Sequence, residues 1–114
     1  MIEQSTLDFL KELKANNNRD SFNDHRLLYE AARDNFATFI EELIISLNKI
    51  DDFVSDANPK NSIFRIFKDV RFSKDKSPYK SHFSASISKG GRKSDYAGYY
   101  IHVEPENKTI LASG

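Results

Sequence analysis

Residues 65–83 read Arg-Ile-Phe-Lys-Asp-Val-Arg-Phe-Ser-Lys-Asp-Lys-Ser-Pro-Tyr-Lys-Ser-His-Phe, which interleaves charge with aromatic side chains more densely than an ordinary surface strand needs. Further on, Tyr100, His102 and Glu104 recur at every second position. These residue types have a definite chemistry. Arg offers a planar bidentate fork to phosphate or carboxylate, Lys a point charge, and His a proton donor or acceptor near neutral pH. In the leading reading Arg65, Arg71 and Lys80 hold a small anion, while His82 and His102 handle protons. Glu104 then orients one imidazole and Asp69 fixes an arginine. Such a site suits a binding protein as well as an enzyme, and the residues specify no cofactor. The plain structural alternative is a solvated ion-pair lattice, because antiparallel sheets commonly wet one face and pairing networks mimic sites.

The elements that must position these groups show in the apolar pattern. Phe64, Ile66, Val70 and Phe72 alternate with Arg65, Asp69 and Arg71. Phe83, Ala85 and Ile87 alternate with His82, Ser84 and Ser86, and Tyr99, Ile101 and Val103 with Tyr100, His102 and Glu104. Such runs predict an antiparallel sheet with one buried face. A fourth short run spans residues 109–113. Lys80, His82, Ser84, Tyr100, His102 and Glu104 then share the face away from the core, extended by Arg65, Asp69 and Arg71. Pairing symmetrically about Arg92 sets His82 opposite His102, Ser84 opposite Tyr100 and Lys80 opposite Glu104. A slip of one residue would bury these groups and expose the apolar set.

Upstream the period is helical. Ser5 or Thr6 can cap a first helix with Leu7, Leu10 and Leu13 on its apolar side, ending at Asn16-Asn17-Asn18. A second helix starts between Asn18 and Asp24 and runs to about Ile50, with Tyr29, Ala32, Phe36, Phe39, Leu43, Leu47 and Ile50 as its stripe. At ~1.5 Å per residue it would be on the order of 40 Å long, enough to cross a sheet. Asp51, Asp52, Asp56, Asn58 and Pro59 form a connecting loop. The expected fold class is α+β: two N-terminal helices, the second long, on one face of an antiparallel meander of three to four strands.

The 114 residues suit one domain, helical over 1–59 and β-rich over 60–114. Net charge is zero but unevenly spread: residues 1–59 hold 6 Lys and Arg against 12 Asp and Glu, and residues 60–93 hold 10 against 2. The basic half either complements the acidic one or faces an anionic partner. The chain has no cysteine, which excludes disulfides and thiolate metal sites. No signal-peptide pattern or membrane-length apolar run is present, so the expected location is the cytoplasm, without membrane contact.

Other motifs are weaker. His82, His102 and Glu104 are types that bind zinc or iron, but only a cross-strand pairing joins them, and no metal site is assigned. Ser73-Lys74-Asp75-Lys76 and Ser77-Pro78-Tyr79-Lys80 match the S-x-x-K acylase pattern, yet Pro78 opposes the helix that motif requires. Gly90-Gly91-Arg92-Lys93 offers backbone N–H groups to a phosphate but lacks a following helix. Phe64, Phe67, Phe72, Tyr79, Tyr96 and Tyr100 among basic residues form a runner-up reading, a nucleic-acid-binding module through residues 60–93. Phe64 and Phe72 fall on the core face, which removes two stacking platforms. A third reading is a protein-interaction domain that docks an acidic partner on the basic strip.

Three segments together resemble a bacterial family of conserved proteins known as domain of unknown function number 2461. They are Asn17-Asn18-Arg19-Asp20, the 65–83 stretch, and Ala97-Gly98-Tyr99-Tyr100-Ile101-His102-Val103-Glu104-Pro105. The resemblance runs from Phe9 to Gly114 and departs at Ser21-Phe22, where an aromatic pair is usual. It implies no activity and carries over no catalytic role. What it does imply is a set of residues to test: Arg65, Asp69, Arg71, Asp75, Lys76, Tyr79, Lys80, His82, His102 and Glu104. Lys76 and Tyr79 thereby join Arg65, Asp69, Arg71 and Lys80 as ligand-binding candidates, with Tyr100 added from the polar sheet face. Members usually continue beyond this point, so the resemblance implies that the chain matches an N-terminal part. A covering segment would turn the polar face into a cleft, and without it the expectation is self-association through that face.

Overall fold

The computed structural model of the chain describes residues 2–51, 57–68, 77–92, 98–105 and 108–113, with backbone alone at 108–109 and 111–113. Leucines at helical spacing form the first helix, α1 (Gln4–Ala15), which buries Leu7, Leu10 and Leu13 together with Thr6 and Phe9. Its N-cap is Glu3, not Ser5 or Thr6. The Asn35 carboxamide takes the capping role from a neighbouring helix: its Oδ1 accepts from the Glu3 backbone N–H at 2.8 Å and from the Thr6 hydroxyl at 2.7 Å. An orphan donor at the helix start is thus satisfied by tertiary structure.

The long second helix of the sequence reading is two helices, α2 (Arg19–Asp24) and α3 (Arg26–Asn48). Asn18 caps α2 by accepting from the Ser21 N–H at 2.8 Å. The break falls at His25, whose Nδ1 lies 2.7 Å from the Ser21 carbonyl oxygen, the same oxygen that accepts the His25 backbone N–H. With 23 residues α3 is about 35 Å long. It buries Tyr29, Ala32, Phe36, Ile40 and Ile44, while Phe39, Leu43 and Leu47 pack at the margin. Ile50 is not part of the stripe, being 81% exposed beyond the helix end. The expected connecting loop contains a one-turn helix, α4 (Pro59–Ser62), started by a reciprocal capping box between Asn58 and Asn61 with Pro59 following the cap.

Three strands, β1 (Phe83–Ile87), β2 (Tyr99–Glu104) and β3 (Lys108–Ser113), pair antiparallel in the order β1-β2-β3. α3 packs on β1, and α1 packs on α3 and β2. The fold is therefore α+β, with helices against one face of a meander. Phe83, Ala85, Ile87, Ile101 and Val103 are all buried, as the alternation requires. Phe83 is the hinge of this core, with its ring 5.3 Å from Phe36 and 6.4 Å from Phe9.

The first predicted strand run is described over residues 64–68, where it forms an interrupted ladder with residues 78–84, while Val70 and Phe72 lie outside the described residues. Phe64 N–H donates to the Ser84 carbonyl at 3.0 Å, Lys80 N–H to that of Ile66 at 2.8 Å, and Lys68 N–H to that of Pro78 at 2.9 Å. Bridges join Ile63 to Ala85 and Phe67 to Tyr79. Between those bridges three residues, Phe64 to Ile66, face five, Lys80 to Ser84. The surplus is a bulge, and bulges re-aim the side chains they carry.

Candidate functional site

The bulge holds Lys80, Ser81 and His82, and its far end is fixed by a residue from the loop after α1. The Asn17 side chain takes both backbone groups of Tyr79, accepting its N–H at 3.1 Å and donating to its carbonyl at 2.7 Å. Asn17 thereby acts as a one-residue strand partner. The Tyr79 ring turns into the core and stacks on Phe22 at 4.1 Å, while the residue also lines the cavity beside the bulge. A cavity of about 490 Å³ opens here, lined by Lys14, Lys68, Lys80 and His82 with Ser77 and Ser81. No carboxylate lines it among the described residues.

Beside the cavity, alternation along β2 puts Tyr100, His102 and Glu104 on one face, and they form a continuous hydrogen-bond chain. His102 Nε2 lies 2.8 Å from Glu104 Oε1, and its Nδ1 lies 3.1 Å from the Tyr100 hydroxyl. A carboxylate only accepts, so Nε2 carries a hydrogen and neutral His102 accepts from the Tyr100 O–H at Nδ1. The order is hydroxyl, imidazole, carboxylate, the arrangement in which a carboxylate fixes the orientation and tautomer of an imidazole. Its centre is the protected part: the His102 side chain is 14% exposed, against 43% for Glu104.

The strand register differs from the symmetric one. His102 faces Ser84 rather than His82, and Tyr100 faces Ser86 rather than Ser84. The shift is two residues, which preserves parity: Tyr100, His102 and Glu104 stay on one face with His82, whereas Ser84 is buried and Arg65 lines a cavity against α3 instead of extending that face. The bulge restores the histidine contact diagonally, with the His82 and His102 rings stacked at 4.2 Å between centroids. His82 therefore lines the lysine cavity and stacks on the imidazole at the centre of the hydrogen-bond chain. Lys80 does not sit across from Glu104; its ammonium lies 5.8 Å from the centre of the Phe64 ring.

Burial first, and neighbouring cations second, set the electrostatics here. Burial, and then the Arg65 charge, lower the Lys80 ammonium from its ordinary value. His82 drops from 6.5 to about 4, first through burial and then through His102 and Lys80, with Glu104 opposing. It is neutral at pH 7. An unfolded chain would protonate this ring below pH 6.5, so the unfolded state binds more protons between pH 6.5 and about 4. Stability from this group is complete above pH 6.5, is lost as pH falls through that window, and changes no further below it. The ring is half-buried and partly screened, so the expected loss is on the order of 1–2 kcal/mol. Urea unfolding at pH 7 and pH 4.5 checks this against His82→Gln, which cannot charge. Equal losses in the two proteins would contradict the burial of His82.

Of the remaining candidates, Arg65 acts on Lys80 through its charge but lines a different cavity, against α3, with its guanidinium 5.4 Å from the centre of the Phe67 ring. Asp69, Arg71 and Lys76 lie outside the described residues. The structure adds Lys14, Asn17 and Lys68. Asn17 and Lys68 stood inside segments the sequence singled out, whereas Lys14 comes from α1 and only tertiary structure brings it here. Among the described residues no three of His, Asp and Glu cluster to hold a metal ion, and no helix is long and apolar enough to cross a membrane.

This arrangement, a helix layer on an antiparallel sheet whose outer face carries a histidine–carboxylate chain beside a lysine cavity, defines the class of domain. The chain belongs to the family described as Conserved hypothetical protein (DUF2461), which matches residues 5–114. No curated protein and no solved structure matches it.

Proposed function

We propose that this domain binds a small phosphate- or carboxylate-bearing ligand in the cavity between α1 and the bulge, and that the histidine pair transfers a proton to or from it. The observation that carries the reading is the double position of His82, which lines a cavity of Lys14, Lys68 and Lys80 and stacks on the His102 of the Tyr100–His102–Glu104 chain. Burial depresses His82 most, followed by the His102 and Lys80 charges, and an entering anion offsets those charges. The imidazole then moves back toward its ordinary range and takes up a proton, which places an acid next to the ligand.

Binding is therefore linked to proton uptake and tightens as pH falls from about 6.5 toward 4. Calorimetric titration with inorganic phosphate and a small dicarboxylate, in two buffers of different ionisation enthalpy, reads the proton directly. Lys14→Ala with Lys80→Ala should weaken binding at least tenfold, about 1.4 kcal/mol. His82→Gln should keep weak binding and leave only the pH dependence of the ligand's own ionisation. Binding that ignores all these substitutions would sink the proposal. A short single-stranded oligonucleotide is the contrasting probe: affinity for it that falls steeply with salt, with none for small anions, would favour a nucleic-acid surface.

A further inference from the structure

A second cavity, of about 520 Å³, lies between α3 and residues 63–67, with α4 at its end. That volume falls within the range of small-molecule sites, ~300–1,000 Å³. Its lining combines four cations, Arg33, Lys60, Arg65 and Arg92, with a mainly apolar interior that includes the Tyr29 and Phe67 rings. No carboxylate lines it among the described residues.

The two walls carry the same device. On α3 the Arg33 guanidinium lies 5.6 Å from the centre of the Tyr29 ring, and on the facing segment that of Arg65 lies 5.4 Å from the centre of Phe67. A guanidinium held against a ring still has N–H groups at its edge for an acceptor in its plane. Arg33 has a neighbour in Asp34 at 3.8 Å, but both side chains are at least half exposed and such a pair is weak. At the end of the cavity Arg92 is fixed by donating from Nη1 to the Lys60 carbonyl at 3.1 Å, which leaves its other N–H donors to serve a ligand. Phe67, 45% exposed, presents ring surface that the fold does not cover.

We propose that this groove is a ligand site separate from the lysine cavity, and that it takes a planar aromatic anion, a flat ring joined to a phosphate or carboxylate. The ring stacks in the aromatic interior and the acid group meets the Arg33 and Arg65 forks. An aliphatic acid satisfies the cations without the stacking, and inorganic phosphate satisfies neither the interior nor the shape. The proposal does not depend on proton transfer at His82.

Amide chemical shifts of the labelled chain, titrated with adenosine monophosphate and with an aryl carboxylate, test it. At least one of the two should saturably move the amides of Arg33, Arg65 and Phe67. Adenosine, inorganic phosphate and hexanoate should each bind at least tenfold more weakly there. Arg33→Ala with Arg65→Ala, both at exposed positions, should cost at least tenfold in affinity. Ala37→Leu, which adds bulk to the α3 wall without changing charge, should remove binding. Lys14→Ala should leave it unchanged, which separates the two sites. Silence at these amides for both aromatic probes overturns the proposal, as does hexanoate or phosphate binding equally well. Perturbations confined to Lys14 and His82 also overturn it, and would assign the anion to the lysine cavity alone.

Discussion

Phe36→Ala should destabilise the fold by about 3–5 kcal/mol, a large part of the ~5–15 kcal/mol typical of a domain. Phe36 is fully buried at the middle of α3, and its ring stacks on Phe83 at 5.3 Å with 18° between planes. Removing it takes away transferred apolar surface and leaves a cavity, because Phe83 is held on its other side by Phe9 at 6.4 Å and cannot follow the gap freely. The effect reaches the site as well. Phe83 is the first residue of β1 and directly follows His82, so its packing sets where the bulge ends. Urea unfolding should show a lower midpoint with little change in slope. Thermal unfolding should show a midpoint lower by well over ten degrees, given ~4–8 °C per kcal/mol in small domains. A loss under about 1 kcal/mol would show that α3 does not seat on β1 through this pair.

Parity was legible and position was not. Alternation alone placed His82, Tyr100, His102 and Glu104 on one face, since side chains of a strand must alternate whatever its partner. The pairing partner depends instead on the connection between the strands, whose described start is held by one local contact and one far away in the chain. The Ser88 hydroxyl donates to the Gly91 carbonyl at 2.8 Å, and Arg92 N–H donates to the Asn61 carbonyl at 2.8 Å. Gly90 and Gly91 both take positive φ, which glycine alone adopts freely. The centre of pairing thus moves one residue past Arg92, and each partner moves by two. The helix break was hidden for a related reason: His25 is neither Gly nor Pro, and it stops α2 through a side-chain hydrogen bond that no periodicity registers. The bulge at Lys80–Ser84 is a mismatch between two bridges, visible only once both are known. Lys14 required the packing of α1 against the rest. What residue types can do was readable from the chain; which of them meet depended on long-range geometry.

Gly98→Ala tests that geometry most directly, because Gly98 sits where β2 begins against the end of β1. A Cβ built there falls 2.2 Å from the Ile87 carbonyl oxygen and 2.6 Å from the Ser88 Cβ. The close neighbours include backbone, so no side-chain rotation relieves the clash and the strands must part. Overpacking of this kind costs about 1–3 kcal/mol and occasionally more, and an immovable carbonyl argues for the upper part of that range. Gly98→Val should cost more again. The displacement is felt along β2, since Tyr99 is the register partner of Ile87 and Tyr100 and His102 follow on the same strand. At a temperature where Gly98→Ala is still folded, the His82–His102 ring contact should lengthen, and nuclear Overhauser effects between the two imidazoles read it. Phosphate binding that depends on the histidine pair should weaken in the same variant, whereas the aromatic groove on the helix side should respond less. If Gly98→Ala is tolerated within about 0.5 kcal/mol, the close crossing of β1 and β2 is wrong. The stacked histidines would then lose the register that holds them together.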